Sequence, residues 1–143
     1  PELANDIYCL TFSPAGDLVV SGRGYLKRLV DDNGDGLFDR AVLLSDHPKD
    51  GAMGMLIEGE TFYFVGDGGL RKMPWRPSAF TKDSQLLLAA KTGGEHDAHA
   101  ISRGPDGKLY VTPGFRFVNR IDYVYCDVPW TDDDQHQPDY RYD

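Results

Sequence analysis

The sequence contains only two cysteines among its 143 residues, Cys9 and Cys126, near opposite ends of the chain. A CxxC pair is missing, which excludes a thioredoxin-like redox motif, a zinc ribbon and a c-type haem attachment site. Free cysteines tend to be buried, so the sequence predicts two buried strand cysteines. A disulfide between them in an oxidising compartment stays open as an alternative.

Long apolar runs and an excess of positive charge are also missing. No stretch approaches the roughly 18 to 20 apolar residues of a membrane-spanning helix, so no transmembrane segment is predicted. The chain carries 15 Lys and Arg against 23 Asp and Glu, a net charge of -8 without a basic stripe. This excludes the nucleic-acid backbone as a partner and is compatible with cation binding.

The ends of the chain lack a recognisable targeting signal. The sequence begins at Pro1 without a methionine and stops abruptly at Asp143. We therefore interpret the chain as part of a longer polypeptide.

What the sequence does contain is a series of short β-rich runs separated by Gly, Pro, Asn and Asp, with no helical periodicity over the first 45 or so residues. The runs fall into sets of four: 7–12, 18–21, 25–30 and 40–44, then 52–57, 61–65, 70–73 and 85–90. A third set opens with 98–102 and 109–112 and continues with a predicted strand at 120–126.

The first two sets also match in sequence. The segment DLVVSG at 17–22 aligns with TFYFVG at 61–66, an offset of 44 residues. A four-stranded unit that repeats every 40 to 50 residues is typical of propeller blades. The sequence thus predicts an all-β fold, a β-propeller fragment of about three four-stranded blades at 6–45, 50–91 and 96–127. An acidic irregular tail or truncated insertion follows this partial propeller (1–127) at 128–143.

An acidic loop, DDNGDGLFD at 31–39, separates the third and fourth runs. It fits the pattern D-x-N-x-D-G-x-x-D, with oxygen donors at spacings that suit calcium and a glycine where the loop must turn sharply. The predicted ligands are the side chains of Asp31, Asn33, Asp35 and Asp39 and the backbone carbonyl of Leu37. Val42 replaces the bidentate glutamate of an EF-hand, so water or a carboxylate from elsewhere would complete the shell. A hairpin loop with solvated charges is the alternative.

A second polar cluster, Glu95, His96, Asp97 and His99, directly precedes a predicted strand. Imidazoles beside carboxylates suit proton transfer or metal binding. In a propeller, His96 would lie at the mouth of the central channel, and Gly93-Gly94 before it would allow a flat ligand to approach. His99, placed inside the strand, would point to the opposite face and favour a core role. His96 is therefore the candidate catalytic residue.

These residues carry a resemblance to a known family. His96, followed eight residues later by GPDGKLYVT at 104–112, resembles the catalytic blade of soluble pyrroloquinoline quinone (PQQ)-dependent aldose dehydrogenases, the glucose/sorbosone dehydrogenase family. The segment at 19–39, together with GDGGL at 66–70, is similar to a branch of large planctomycete and verrucomicrobial membrane-bound dehydrogenase propellers, often fused to a cytochrome domain. The resemblance covers roughly 6–117, and it departs from the family at Pro113-Gly114, where Gly-Asp is usual.

The resemblance implies a periplasmic or extracellular enzyme that oxidises a sugar or alcohol hydroxyl with PQQ. His96 would remove the hydroxyl proton as hydride passes to the quinone, calcium would polarise the quinone and brace a blade, and a cytochrome could accept the electrons. The residues that bind the quinone are not assigned in this sequence. The alternative is a non-catalytic, calcium-braced propeller that binds glycan or protein partners or scaffolds a fused cytochrome domain. A calcium-dependent hydrolase like the gluconolactonases is a weaker option, because no ring of carboxylates and Asn is evident.

Overall fold

The computed structural model describes residues 2–94 and 97–112, and this part of the chain contains β-structure and no helix. The strands are β1 (Cys9–Phe12), β2 (Leu18–Gly22), β3 (Tyr25–Val30), β4 (Arg40–Ser45), β5 (Gly54–Glu58), β6 (Thr61–Gly66), β7 (Gly69–Pro74), β8 (Gln85–Ala89), β9 (Ile101–Arg103) and β10 (Leu109–Val111). They coincide with runs rich in Val, Leu, Ile, Tyr and Phe, and Gly, Pro and Asp residues punctuate the runs.

The strands pair as antiparallel neighbours in chain order. Sheet I is β1-β2-β3-β4, sheet II is β5-β6-β7-β8, and sheet III is the hairpin β9-β10. This confirms the predicted all-β class and the two predicted sets of four strands. The predicted strand at 120–126, Cys126 and the tail at 128–143 lie outside the described residues.

Sheets I and II repeat each other in register as well as in order. The hairpin between β2 and β3 pairs Gly22 with Tyr25, and the hairpin between β6 and β7 pairs Gly66 with Gly69. In the second hairpin Asp67 and Gly68 both have positive φ, 48° and 81°, as a type I′ turn requires.

A β-bulge also recurs at equivalent places. The β3–β4 register shifts between Leu26 and Lys27, and the β7–β8 register shifts between Leu70 and Arg71. The extra residue on the outer strand of sheet I is Leu44. Its carbonyl accepts a hydrogen bond (2.7 Å) from the Thr81 amide, which lies in the β7–β8 connection.

The core lies between the sheets. Sheet I contributes Val19, Leu26 and Leu44 to a cluster with residues of sheet II, and these three side chains are almost fully buried. The residues from the linker and sheet II in this cluster are Ala52, Met55, Ile57, Phe62, Phe64 and Met73. A second cluster, centred on Val65, Leu70 and Ala98, joins sheet II to sheet III.

The first strands of successive sheets lie beside one another. β1 contacts β5, and β5 contacts β9. At Gly54, the first residue of β5, any side chain would collide with the carbonyl oxygen of His99. The three sheets therefore pack face to face, with their first strands in a row.

Successive connections in an antiparallel meander alternate between the two ends of the strands. The strand ends on one side, which we call the linker edge, are joined by the turns at 23–24 and 67–68 and by the linkers at 46–53 and 90–100. The opposite edge, which we call the loop edge, holds the connections at 13–17, 31–39, 59–60, 75–84 and 104–108. The two candidate sites predicted from the sequence therefore lie at different edges.

Three predicted strands begin later than expected, and the first of them is β1, which starts at Cys9 instead of residue 7. β5 starts at Gly54 instead of residue 52, because the Ala52 amide is bonded to Ser21 Oγ of sheet I (3.0 Å). β9 starts at Ile101 instead of residue 98, because the Ala98 amide bonds the Lys91 carbonyl (3.0 Å). At β5 and β9 the amide of the residue predicted to start the strand is bonded to another segment instead of to the neighbouring strand.

Cys9 is a free thiol on β1 that packs against the core between sheets I and II. Burial raises the pKa of the Cys9 thiol. This agrees with the expected strand cysteine, although the side chain is only partly buried.

Candidate functional site

The predicted catalytic residue His96 and its neighbour Glu95 lie outside the described residues. The chain on both sides of them is described, and it lies at the linker edge between sheets II and III. The described residues next to this position are Lys91 to Gly94 on one side and Asp97 and its successors on the other.

Asp97 is buried and is hydrogen-bonded to Gly94. Its relative exposure is 7%, its Oδ2 accepts the Gly94 amide (2.8 Å), and its own amide bonds the Gly94 carbonyl (3.1 Å). The Lys91 ammonium lies 3.2 Å from Asp97 Oδ1. A buried carboxylate needs such partners, so Asp97 acts as a brace and is not a solvated charge.

His99 lies just before β9 and not inside it, so the predicted placement within a strand is wrong. Its amide bonds the Thr112 carbonyl (2.9 Å), which extends the pairing of sheet III, and its side chain is half-buried. β9 starts late because the residues up to 98 are held in the linker, and His99 therefore precedes the strand.

A hydrogen-bonded network ties the two linkers to the turn at 67–68. His47 Nδ1 lies 2.5 Å from Asp67 Oδ2, and the Lys49 amide donates to Asp67 Oδ1 (2.6 Å). The Asp67 amide donates to Asp50 Oδ1 (2.7 Å), and the Thr92 hydroxyl donates to Asp50 Oδ2. Three segments far apart in sequence are thereby held in one place.

The carboxylates of this network have no free oxygen. Asp50, Asp67 and Asp97 each have a partner on both oxygens. Hydrogen bonds to both oxygens of a carboxylate fix its position. These aspartates are therefore positioning groups that tie the described segments of the linker edge to one another on either side of residues 95–96.

Sequence reasoning missed His47, Asp50 and Asp67 as parts of one arrangement. Asp67 has the hairpin-turn role that its flanking glycines predict, but its carboxylate also serves as an anchor for the linker at 46–53. A signal exists in the sequence, since the turn at 66–69 replaces the Arg23 of the equivalent turn at 22–25 by an aspartate. Only the packing of the sheets reveals what that aspartate binds.

Positive charge at the linker edge comes from Arg23, Lys49 and Lys91. The Arg23 guanidinium lies 5.9 Å from the centre of the Tyr8 ring, and Lys49 pairs with Asp46 at 3.0 Å. Together with Lys91 these side chains offer cations of the kind that an anionic quinone needs. Arg23 lies in the β2–β3 turn, whereas Lys49 and Lys91 lie in the two linkers and pair with Asp46 and Asp97. The described residues therefore do not form a complete quinone site.

The acidic loop at 31–39 is wound around one carboxylate. Asp31 Oδ1 accepts the amides of Asn33 (3.2 Å) and Gly34 (2.6 Å), and Asp31 Oδ2 accepts the amide of Gly36 (2.8 Å). Because these amides favour the charged form, with Gly36 contributing most, they lower the pKa of Asp31.

The remaining predicted ligands continue the winding. Asn33 Oδ1 accepts the Asp35 amide, and Asp35 Oδ1 accepts the Leu37 amide, both at 2.8 Å. Asp39 Oδ2 accepts the Asp32 amide (2.8 Å) and so closes the loop. All five predicted ligand residues thus belong to one closed, exposed turn, in which the side chains of Asp31, Asn33, Asp35 and Asp39 accept amides of the loop itself.

The donor set of this loop fits calcium in kind, because it consists of carboxylate, amide and carbonyl oxygens. The fit in geometry is incomplete. Within residues 2–94 and 97–112, no three His, Cys, Asp or Glu side chains are arranged to hold a metal ion. The ion pair from Arg40 to Asp32 (2.7 Å) occupies the neighbouring carboxylate, and its hydrogen bond lowers the pKa of Asp32.

Comparison with protein-family models, with curated proteins and with solved structures gave no match to this chain. A search of the described residues for membrane spans found no helix with the length and apolar character to cross a bilayer.

Proposed function

We propose that the chain is a segment of a β-propeller. The support is the repetition of sheet I in sheet II, including the bulge after Leu26 and Leu70, and the row of first strands β1, β5 and β9. Radially arranged blades place their first strands side by side and pack their faces together, as these sheets do. The linker edge would then be the edge at which the propeller binds its ligand.

We further propose that this propeller is a PQQ-dependent dehydrogenase that oxidises a sugar or alcohol hydroxyl, with His96 as general base. The observation that carries the proposal is the braced linker edge around residues 95–96. A general base works best when its surroundings hold it within hydrogen-bond reach of the reacting proton. Asp50, through Thr92, and Asp97, through Gly94, supply that rigidity.

The division of roles follows from the same contacts. The aspartates of the linker edge have both oxygens bonded, so they would position the loop and leave proton removal to His96. An imidazole titrates near neutral pH and can hold the hydroxyl proton as imidazolium. PQQ, when bound, would supply the hydride acceptor, and the C–H hydrogen of the substrate would leave to it with its electron pair.

The test uses the complete natural polypeptide that carries these residues, titrated with PQQ in calcium buffer. Dye reduction is followed over a panel of aldoses and alcohols. We expect PQQ-dependent turnover that falls by about 10² to 10⁴-fold in His96→Ala, as for loss of a general base. His99→Ala is the matched control, since this half-buried histidine lies three residues away, and it should retain turnover.

A second candidate function is favoured by the acidic loop. It is a calcium-braced propeller without catalysis that binds glycan or protein partners or supports a cytochrome domain. The oxygen donors Asp31, Asn33, Asp35, Leu37 and Asp39 would hold the ion at the loop edge, away from His96. Saturable calcium binding without PQQ binding or turnover, in the same titration, would favour this function and reject the dehydrogenase.

A further inference from the structure

Only one face of sheet I is covered by another sheet of the described residues. Val19, Leu26 and Leu44 point toward sheet II and are buried. The opposite side, which we call the outer face of sheet I, carries two ladders of side chains defined by the strand register, and all of these side chains except Lys27 are apolar. The residues of the outer face are Leu10, Val20, Lys27 and Leu43 in one ladder and Phe12, Leu18, Leu29 and Ala41 in the other.

Three large apolar side chains of the outer face are exposed, although Val20 in the same face is buried. The relative exposure is 57% for Leu10, 62% for Phe12 and 45% for Leu43. Contiguous apolar surface of this kind marks an interaction site.

The repeat shows what covers the same face elsewhere in the chain. By strand register, Leu10 and Phe12 of sheet I correspond to Met55 and Ile57 of sheet II, because each pair lies opposite equivalent residues of the second strand. The further equivalents in sheet II are Phe62 for Leu18, Phe64 for Val20 and Met73 for Leu29. All five residues of sheet II are buried against sheet I.

The equivalent positions of sheet III also contact the preceding sheet. Ile101, Leu109 and Val111 correspond in register to Leu10, Leu18 and Val20. These three residues pack against the cluster of sheet II. In both interfaces a sheet therefore presents this face to the sheet that precedes it in the chain.

The segment leading into β1 follows the same rule. The Tyr25 hydroxyl donates to the Asn5 carbonyl (2.5 Å), and Lys27 Nζ donates to the Leu3 carbonyl (3.1 Å). A Cβ built on Gly22 would lie 2.6 Å from the Asp6 carbonyl oxygen, and one built on the equivalent Gly66 would lie 2.6 Å from Pro48. The segment at 2–8 thus occupies the place that the linker at 46–53 occupies on sheet II.

We propose that the outer face of sheet I is a docking surface for another four-stranded antiparallel sheet of the same repeat, in the same polypeptide. The partner sheet would present aliphatic side chains at the positions that Val19, Leu26 and Leu44 hold in sheet I. The same polypeptide is the source because both existing interfaces of this type join consecutive units of one chain. The proposal rests on the propeller part of the proposed function and not on its chemistry.

The test is hydroxyl-radical footprinting of the complete natural polypeptide, which needs no substitution. Phe12 and Phe38 are a matched pair, since Phe38 lies in the acidic loop with 42% exposure. We expect Phe12 to be oxidised several-fold more slowly than Phe38, at every protein concentration. PQQ is absent from the experiment, so failure of the dehydrogenase proposal leaves its outcome unchanged.

Two results would overturn the proposal. Oxidation of Phe12 at a rate equal to or above that of Phe38 would show that the outer face is open to solvent. Protection of Phe12 that appears only as the protein concentration rises would show that a second copy of the chain covers it.

Discussion

The linker edge and the acidic loop are both rich in aspartate, yet their hydrogen bonds are organised in opposite ways. At the linker edge, Asp50 and Asp67 bind groups 17 to 42 residues away, across different segments. In the acidic loop, Asp31 and Asp35 bind amides two to five residues away. The first arrangement exists only when the sheets are packed, whereas the second is complete within one connection.

Of the two regions, only the linker edge depends on the packing of the sheets. Long-range contacts at the linker edge are part of the cooperative unit that folds with the core, so a base placed there inherits the rigidity of the core. Local Asx turns in the acidic loop can form and open with little effect on the sheets. Substitutions that remove cross-sheet contacts should therefore cost more than substitutions that remove local ones.

The largest effect is expected for Phe64→Ala, which removes a fully buried ring between sheets I and II. The Phe64 ring lies 6.1 Å from that of Phe62 and belongs to the cluster through which sheet II packs against sheet I. We expect the free energy of unfolding to fall by about 3 to 5 kcal/mol in urea denaturation. Phe38→Ala in the acidic loop is the control and should change it by no more than about 0.5 kcal/mol. Similar losses in both variants would contradict the difference between the two regions.

An intermediate effect is expected for Asp50→Ala. The substitution leaves the Asp67 amide and the Thr92 hydroxyl without their acceptor. Hydrogen bonds to a charged group are worth more than neutral ones, so the loss should be about 2 kcal/mol.

The control for Asp50→Ala is Asp35→Ala, which removes one local bond to the Leu37 amide. Its loss should stay within about 0.5 kcal/mol. Calcium-free buffer is needed for both variants, because a bound ion would add its own stabilisation to the wild-type loop. Equal effects of the two alanines would show that the long-range network adds nothing.

The smallest effect concerns an ion pair that stays within sheet I. Burial disfavours ionisation of Asp17, but hydrogen bonds from Arg28 (2.7 Å) and Ser13 (2.9 Å) outweigh it and lower the pKa of Asp17. A carboxyl with a lowered pKa in the folded state stabilises the fold above its unfolded pKa of about 3.9. That stabilisation is lost as the pH falls through the folded value.

Urea denaturation between pH 7 and about pH 2 measures the stability that the Asp17 carboxylate contributes. Wild-type protein should lose about 1 kcal/mol more than Asp17→Asn over this range, because only the wild-type carboxylate is neutralised by acid. The same loss in both proteins would show that other groups dominate acid sensitivity.

The strands could be predicted because their signals are local. Alternating apolar residues and turns such as Ser13-Pro14-Ala15-Gly16 place β1 to β8 within three residues of the observed bounds. The 44-residue offset likewise predicts that Leu26 and Leu70 occupy the same place in two sheets. Errors arise at the starts of β1, β5 and β9, and at β5 and β9 it is because Ala52 and Ala98 give their amides to other segments.

The candidate sites show the corresponding limit. The acidic loop could be predicted as one unit because its pattern is short and its contacts lie within nine residues. The network of His47, Asp67, Asp50 and Thr92 could not be predicted, because its members meet only after two sheets pack. His96 was singled out by its neighbours in sequence, and its role stays a prediction.

The bulge in sheet I has a consequence for solubility. β4 is an edge strand, and a regular edge strand invites another chain to pair with it. At Leu44 the bulge interrupts the regular spacing of donors and acceptors, and the Thr81 amide already occupies the Leu44 carbonyl. An incoming strand would find the ladder broken and one acceptor taken, so this edge resists the strand-to-strand addition by which β-proteins aggregate.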